Sequence, residues 1–262
     1  MLRLIALLTL ILTGFAGCRT IPVDVSHAYT DKGYLNSGLR TLGQLYLLDT
    51  EEGSLKELAV LDLSNRVRGA TFEEQFARNV RGVDIGAGGE AGIDAEVKAS
   101  ITRNSYIRLT NAFDETYANT FGDLSAEINR REAIGEDVGF TWFLDDAAQP
   151  GSTIRYLLVY STIRADEAVI GYNNVTAVDG NLTVPVRGRA EMDVTVSGLS
   201  EESWKGKAVP VLVDYHVIQA FQDDGFYKFR IDRSFRDDDL TDILKGRRLP
   251  PAEEEDLVSR RR

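Results

Sequence analysis

The chain has 262 residues but a single cysteine, Cys18, and two histidines, His27 and His216. One cysteine excludes an intrachain disulfide and leaves no thiolate cluster for zinc or iron–sulfur. The histidines lie far apart, and no second thiol joins either of them. Positive charge is scarce: 30 Lys and Arg stand against 41 Asp and Glu, a net charge of −11. Phosphate contacts need clustered cations, so this composition excludes nucleic acid as a partner and gives no attraction to anionic lipid. Long apolar runs are also missing, except at the start. That run is shorter than the roughly 20 residues that cross a bilayer. Without crosslinks or metal, stability has to come from burial, and a hydrophobic content of 43% is enough for a core.

The lone cysteine closes the segment MLRLIALLTLILTGFAGCRT. Arg3 supplies a positive start, residues 4–15 a short apolar stretch, and Ala16 and Gly17 a small pair directly before Cys18. This order reads as a cleaved leader over 1–17 rather than an anchor helix. Phe15-Ala16-Gly17-Cys18 resembles the lipobox of bacterial lipoproteins, with Phe where Leu is usual. The resemblance covers these residues alone. It implies a diacylglyceryl thioether on Cys18, removal of the leader and acylation of the new amine. A thiolate is the nucleophile such an alkylation needs near neutral pH. Each buried CH₂ contributes about 0.8 kcal/mol and one chain anchors only marginally, so two or three chains hold a protein to a bilayer firmly. Arg19, not Asp, follows the cysteine, which by the same resemblance implies the outer membrane, with the body facing the periplasm or the surface. Arginine outnumbers lysine, consistent with a GC-rich source.

The rest of the chain reads as mainly β with a minor helical part. A lipidated tether is expected over 18–38, a β-rich domain over 39–165 with a helix near 113–134, and a β-sandwich-like region over 166–248 ending in a short helix. A charged, disordered tail follows over 249–262. LGQLYLLD (42–49) and LKELAVLDL (55–63) flank a glycine turn and predict a hairpin. FEEQFARN (72–79) is expected to be a short helix, with Phe72 and Phe76 on one face. Over 91–102 apolar and polar residues alternate at every step, which predicts a half-buried strand continuing through a turn at 103–104 into a hairpin. Ile93, Val97 and Ile101, spaced by four, are the rival helical signal. Phe113, Tyr117, Phe121, Leu124 and Ile128 form a helical stripe that Gly135 would end. IRYLLVYSTI (154–163) is a buried strand. Beyond Asp166 short apolar runs alternate with turns, as in an antiparallel sandwich. Residues 237–246 have acids in the first turn and Gly246 at the end, the signature of a helix.

No catalytic pattern stands out. Gly86, Gly88 and Gly92 miss the dinucleotide spacing by one position, and the context of strand, turn and helix is lacking. His216 sits in VDYHVIQAF with Asp214 nearby, but no nucleophile elbow accompanies it. The acids at 145–146, 223–224 and 237–239 follow no calcium loop and read as turns and helix starts. No cofactor or metal is expected. Aromatics cluster near the end, and Trp204, Tyr215, Phe226 and Tyr227 are candidates for a partner-binding patch. The sequence therefore points to an outer-membrane lipoprotein with a non-catalytic binding or assembly role and an envelope protein as partner. Two other readings stand beside it: an envelope hydrolase acting on glycan or peptide, and a pore-forming or membrane-perturbing protein using residues 82–109, where small residues alternate.

Overall fold

The computed structural model describes residues 23–24, 26–61, 65–82, 84–85, 99, 103, 105–173, 189–191 and 205–246. The apolar segment with Cys18, the glycine-rich stretch at 86–92, Trp204 and the charged tail lie outside these residues.

The fold is mainly antiparallel β with a few short helices. Twelve strands run β1 (Val23–Asp24), β2 (Tyr29–Thr30), β3 (Gly33–Leu35), β4 (Gln44–Asp49), β5 (Ser54–Val60), β6 (Arg66–Ala77), β7 (Asp84–Ile85), β8 (Ser105–Tyr117), β9 (Ile154–Asn173), β10 (Arg189–Glu191), β11 (Lys205–Asp223) and β12 (Phe226–Ile231). Four helices are described: α1 (Thr120–Ala133), α2 (Val138–Thr141), α3 (Leu144–Ala147) and α4 (Asp237–Leu244). β1 and β7 form a two-stranded ribbon, and the remaining strands join in one open ten-stranded sheet.

The expected hairpin at 42–63 forms as β4–β5, with Leu48 opposite Leu55 and Asp49 opposite Ser54. Two expectations are corrected. Residues 72–77 are the second half of strand β6, not a helix. Residues 113–117 end strand β8, so the helix begins only at Thr120. The cause is the same in both places. A spacing of four puts Phe72 with Phe76, and Phe113 with Tyr117, on one side of either a strand or a helix, so the pattern does not separate the two. Phe121, Leu124 and Ile128 do lie in the helix. Leu124 and Ile128 are almost fully buried, and Gly135 follows in the left-handed conformation. Of the alternating segment at 91–102 only Ala99 is described. Its backbone is helical, as is that of Arg103 in the expected turn.

β9 and β11 form the spine. They pair from Tyr156–Ile218 to Glu167–Lys205. The first half of β9 is flanked on its other side by β4 and the second half by β8, up to Ser105 opposite Tyr172. β6 extends the sheet beyond β8, and β12 folds back on β11. β9 runs without interruption through residue 166, so no domain boundary falls there, and strands from both expected domains share one sheet.

Helices cover the β4 half of this sheet on both faces. On one face Leu45, Tyr156, Leu158, Ile218 and Ala220 pack with Leu124, Ile128, Trp142 and Leu144 from α1 to α3. On the other, Tyr34, Tyr46, Leu157, Val213, Tyr215 and Val217 pack with Leu240 and Ile243 of α4. The alternation within a strand feeds both cores: Leu157 and Leu158, neighbours in sequence, are each fully buried on opposite sides. The Tyr156 hydroxyl donates to the Trp142 carbonyl over 2.7 Å, fixing α2 to the sheet. Arg155 and Asp232 form a 2.6 Å ion pair between β9 and the segment leading into α4.

Candidate interaction surface

Among the described residues β6 is the longest exposed element. Residues 66–74 are all exposed, among them Val67 at 47% and Phe72 at 46%. Among the described residues its one neighbouring strand is β8. Charge along it is divided: Arg66 and Arg68 precede a bulge, and Glu73 and Glu74 follow it. The bulge is a register shift in which Arg68 opposes Glu115 while Thr71 opposes Phe113, leaving Gly69 and Ala70 against Asp114. The Arg68 guanidinium lies 3.7 Å from the centre of the Phe113 ring.

β8 and β11, the strands that flank β9, are irregular near the same level. Asn111 of β8 and Ala208 of β11 both have left-handed backbones, with φ of 51° and 58°, a costly conformation for residues other than glycine. Asp166 of β9 lies between them. One of its oxygens accepts from the Asn111 side chain at 3.1 Å and the other from the Ala208 N–H at 2.9 Å. Arg164 donates to the Ala208 carbonyl at 2.9 Å. A single carboxylate therefore holds both flanking strands in a bent conformation, a device without a motif in the sequence. Two long connections, 78–104 and 174–204, leave this four-stranded limb at one end, since Ala77 is paired near Ile107 and Ser105 with Tyr172.

His216 of β11 is stacked between Tyr160, with ring centroids 3.5 Å apart, and Phe121, at 5.9 Å. Asp214 accepts from the Tyr160 hydroxyl at 2.7 Å and from the Tyr215 N–H at 2.8 Å. The sequence proximity of Asp214 and His216 suggests a catalytic pair. The carboxylate is instead turned to Tyr160, and the imidazole is an aromatic slab. Burial pushes the His216 pKa below its ordinary value, with Asp214 pulling the other way, and pushes the Tyr160 hydroxyl up. A histidine whose pKa is depressed on folding binds fewer protons when native than when unfolded. Its stability contribution is therefore complete above the unfolded pKa near 6.5 and is lost as pH falls below it. Acidification from pH 7 to 5 is expected to lower the melting temperature less in His216→Gln than in the wild type. Equal losses in thermal melts across that range would show that His216 plays no part in the acid sensitivity.

On the opposite face Arg40 lies half-buried against two tyrosines. It donates to the Tyr215 hydroxyl at 2.7 Å and lies over the Tyr46 and Tyr215 rings at 5.5 and 5.7 Å. Burial raises the Tyr215 pKa to about 12, opposed by Arg40. Tyr34 and Tyr29 extend this cluster to α4, donating to Asp237 and Asp238. Nothing in the sequence singled out Arg40, Tyr160 or Asp166. Each acts through at least one partner more than 40 residues away.

The four candidate patch residues separate. Tyr215 is core, at 8% exposure, while Phe226 is open at 64%. Tyr227 packs beside the α1–α3 core, and its hydroxyl donates to Asp145 at 2.5 Å. Trp204 lies outside the described residues. The paired acids occupy helix first turns, at Asp145–Asp146 in α3 and Asp237–Asp239 in α4, and the β11–β12 turn, where Asp223 pairs with Lys228. Among the described residues no group of three His, Cys, Asp or Glu could hold a metal ion, and no helix is long and apolar enough to cross a membrane.

No family model matches the chain, and no curated protein matches it. Among solved structures it is similar to a bacterial gasdermin from Bradyrhizobium tropiciagri, at 13% identity, over 80% of this chain and 85% of that one, with a TM-score of 0.26. A score below 0.5 does not establish a shared fold.

Proposed function

We propose that the chain is a lipid-anchored protein of the bacterial outer membrane, held there through Cys18, that works by binding and assembly with an envelope protein rather than by catalysis. The observation that carries the assembly role is β6: an extended edge of 12 residues, exposed along most of its length, whose one described neighbour lies on its inner side. An open edge offers a row of backbone donors and acceptors, and strand addition is a common route to assembly. Most proteins blunt such an edge with charge or keep it short. Here the charges are of both signs and segregated, which favours a particular partner strand over indiscriminate pairing. The test places a photocrosslinking side chain at Thr71 in the full chain, expressed in bacterial envelopes, with Glu52 in the β4–β5 turn as control. A defined adduct from position 71, absent from 52, is expected, and Cys18→Ala should release the protein from the membrane fraction. No adduct from position 71, together with turnover of peptidoglycan fragments by the purified protein, would overturn the reading in favour of a hydrolase.

One observation favours a second reading, membrane perturbation. Adjacent antiparallel strands β6, β8, β9 and β11 carry both long connections at one end, and the first includes residues 82–104. A membrane strand needs about 9–11 residues, a length each of these four exceeds. Dye release from lipid vesicles by the wild type, lost on deletion of residues 86–98, is the outcome this reading requires.

A further inference from the structure

We propose that the partner of β6 is β6 of a second copy of this chain, added antiparallel across a two-fold axis that passes between Ala70 and Thr71. The inference rests on β6 being the assembly edge and names its occupant.

The charge order along the strand is the main argument. Arginines at 66 and 68 and glutamates at 73 and 74 repel a copy laid parallel and in register, where like would face like. Laid antiparallel, the same strand is complementary to itself. With the axis between 70 and 71, Arg68 faces Glu73 of the second copy, and the reciprocal pair forms on the other side of the axis. Arg66 then faces Gln75 of the second copy. Opposite-charge pairs across an antiparallel ladder stabilise it and like pairs destabilise it.

The bulge makes the faces agree. Residues directly opposite in an antiparallel pair point to the same side of the sheet. In a regular strand, 68 and 73 would point to opposite sides. The extra residue at 69–70 shifts the alternation by one, so that Arg68 and Thr71 oppose Glu115 and Phe113, which share a face of β8. Arg66, Arg68, Thr71, Glu73 and Gln75 thus lie on one side, and Val67, Gly69, Phe72, Glu74 and Phe76 on the other. The antiparallel register therefore joins residues of matching side at every pair outside the bulge, with Ala70 and Thr71 meeting at the axis itself. It also sets Phe72, 46% exposed, opposite Gly69 of the second copy. There a ring covers backbone that glycine leaves bare, a pairing known to strengthen sheets at edge glycines.

A closed two-fold contact of this kind ends with the dimer, because each copy has one β6. The assembled sheet would be continuous across both bodies.

The experiment uses the full chain with Cys18→Ser, extracted in detergent and analysed by sedimentation. The wild-type β6 sequence is expected to give a dimer at micromolar concentration. Arg68→Glu alone places two carboxylates against each other on both sides of the axis, and Glu73→Arg alone does the same with two guanidiniums. Each should weaken the dimer roughly tenfold or more. Mixing these two variants should restore it. The glutamate introduced in one copy then meets the arginine introduced in the other, and the unaltered Glu73 of the first meets the unaltered Arg68 of the second. Restoration by mixing also shows that both variants are folded. A monomeric wild type would overturn the inference, as would a dimer insensitive to both substitutions. If the Thr71 photoadduct has the mass of this chain plus a different protein, β6 remains the assembly edge and the second-copy inference falls alone.

Discussion

Replacing Gly43 with alanine is expected to destabilise the protein by about 4 kcal/mol or more, a loss in the range that marks a severe defect. Gly43 lies just before β4 with φ at +86°. A Cβ there would stand 2.1 Å from the Leu61 carbonyl oxygen and 2.8 Å from the Tyr117 hydroxyl. Neither neighbour can withdraw cheaply. The Leu61 N–H donates to the Gly43 carbonyl at 2.8 Å, and the Gly43 N–H donates to the Val159 carbonyl at 2.9 Å. The Tyr117 hydroxyl in turn donates to the Leu61 carbonyl at 3.2 Å, inside the core. Relieving the clash therefore breaks buried hydrogen bonds at the junction of β4, β5 and β9. Gly151→Ala separates the two causes of strain. Its φ is +78°, but a Cβ there meets nothing within 4 Å, so the conformational cost alone applies, about 1 kcal/mol. Thermal melts should place Gly43→Ala roughly 10 °C below the wild type, with Gly151→Ala close to it. Similar melting temperatures for the two variants would mean that the backbone at 43 yields, and that the junction is softer than its geometry implies.

Leu158→Ala is expected to cost about 3–5 kcal/mol. Leu158 is fully buried, and its strand has neighbours on both sides: Leu45 of β4 opposes it on one, His216 of β11 on the other. Helices α1 to α3 close the face above it. Strands held by ladders on both edges cannot move into the space left by three lost carbons, so the cavity persists and its cost adds to the lost burial. Val60→Ala, on the exposed edge strand β5 at 56% exposure, should change stability by less than about 0.5 kcal/mol. Denaturant midpoints measured at an unchanged slope give both values. A Leu158→Ala loss below about 1 kcal/mol would mean that the site collapses and the helical layer is loosely seated.

The sequence was most legible where length and pattern agreed. The β4–β5 hairpin, the 154–163 strand, the 227–231 alternation and the helix at 237–246 were each readable because apolar residues repeat at one period between turn residues. It failed where the spacing is common to both periods. Phe72 with Phe76, and Phe113 with Tyr117, are four apart, and four is two full repeats of a strand and nearly one of a helix. Pairing with β8 and β9 resolves each as a strand. Aromatic content near the end identified important residues without their roles. Tyr215 is a core partner of Arg40, while Phe226, eleven residues on, is exposed.

Acidity, the absence of an intrachain disulfide and of a thiolate cluster, and the lone cysteine behind an apolar run are properties of composition and order, and the sequence by itself determined them. Only the tertiary structure decided that Asp214 serves Tyr160 rather than His216, that Asp166 holds two neighbouring strands in bent conformations, and that β6 pairs with β8 alone among the described strands. Each of these is a relation between strands distant in the chain. Local periodicity fixes which side of a strand a residue faces. Which strand lies beside it, and whether any does, depends on the packing of the whole sheet.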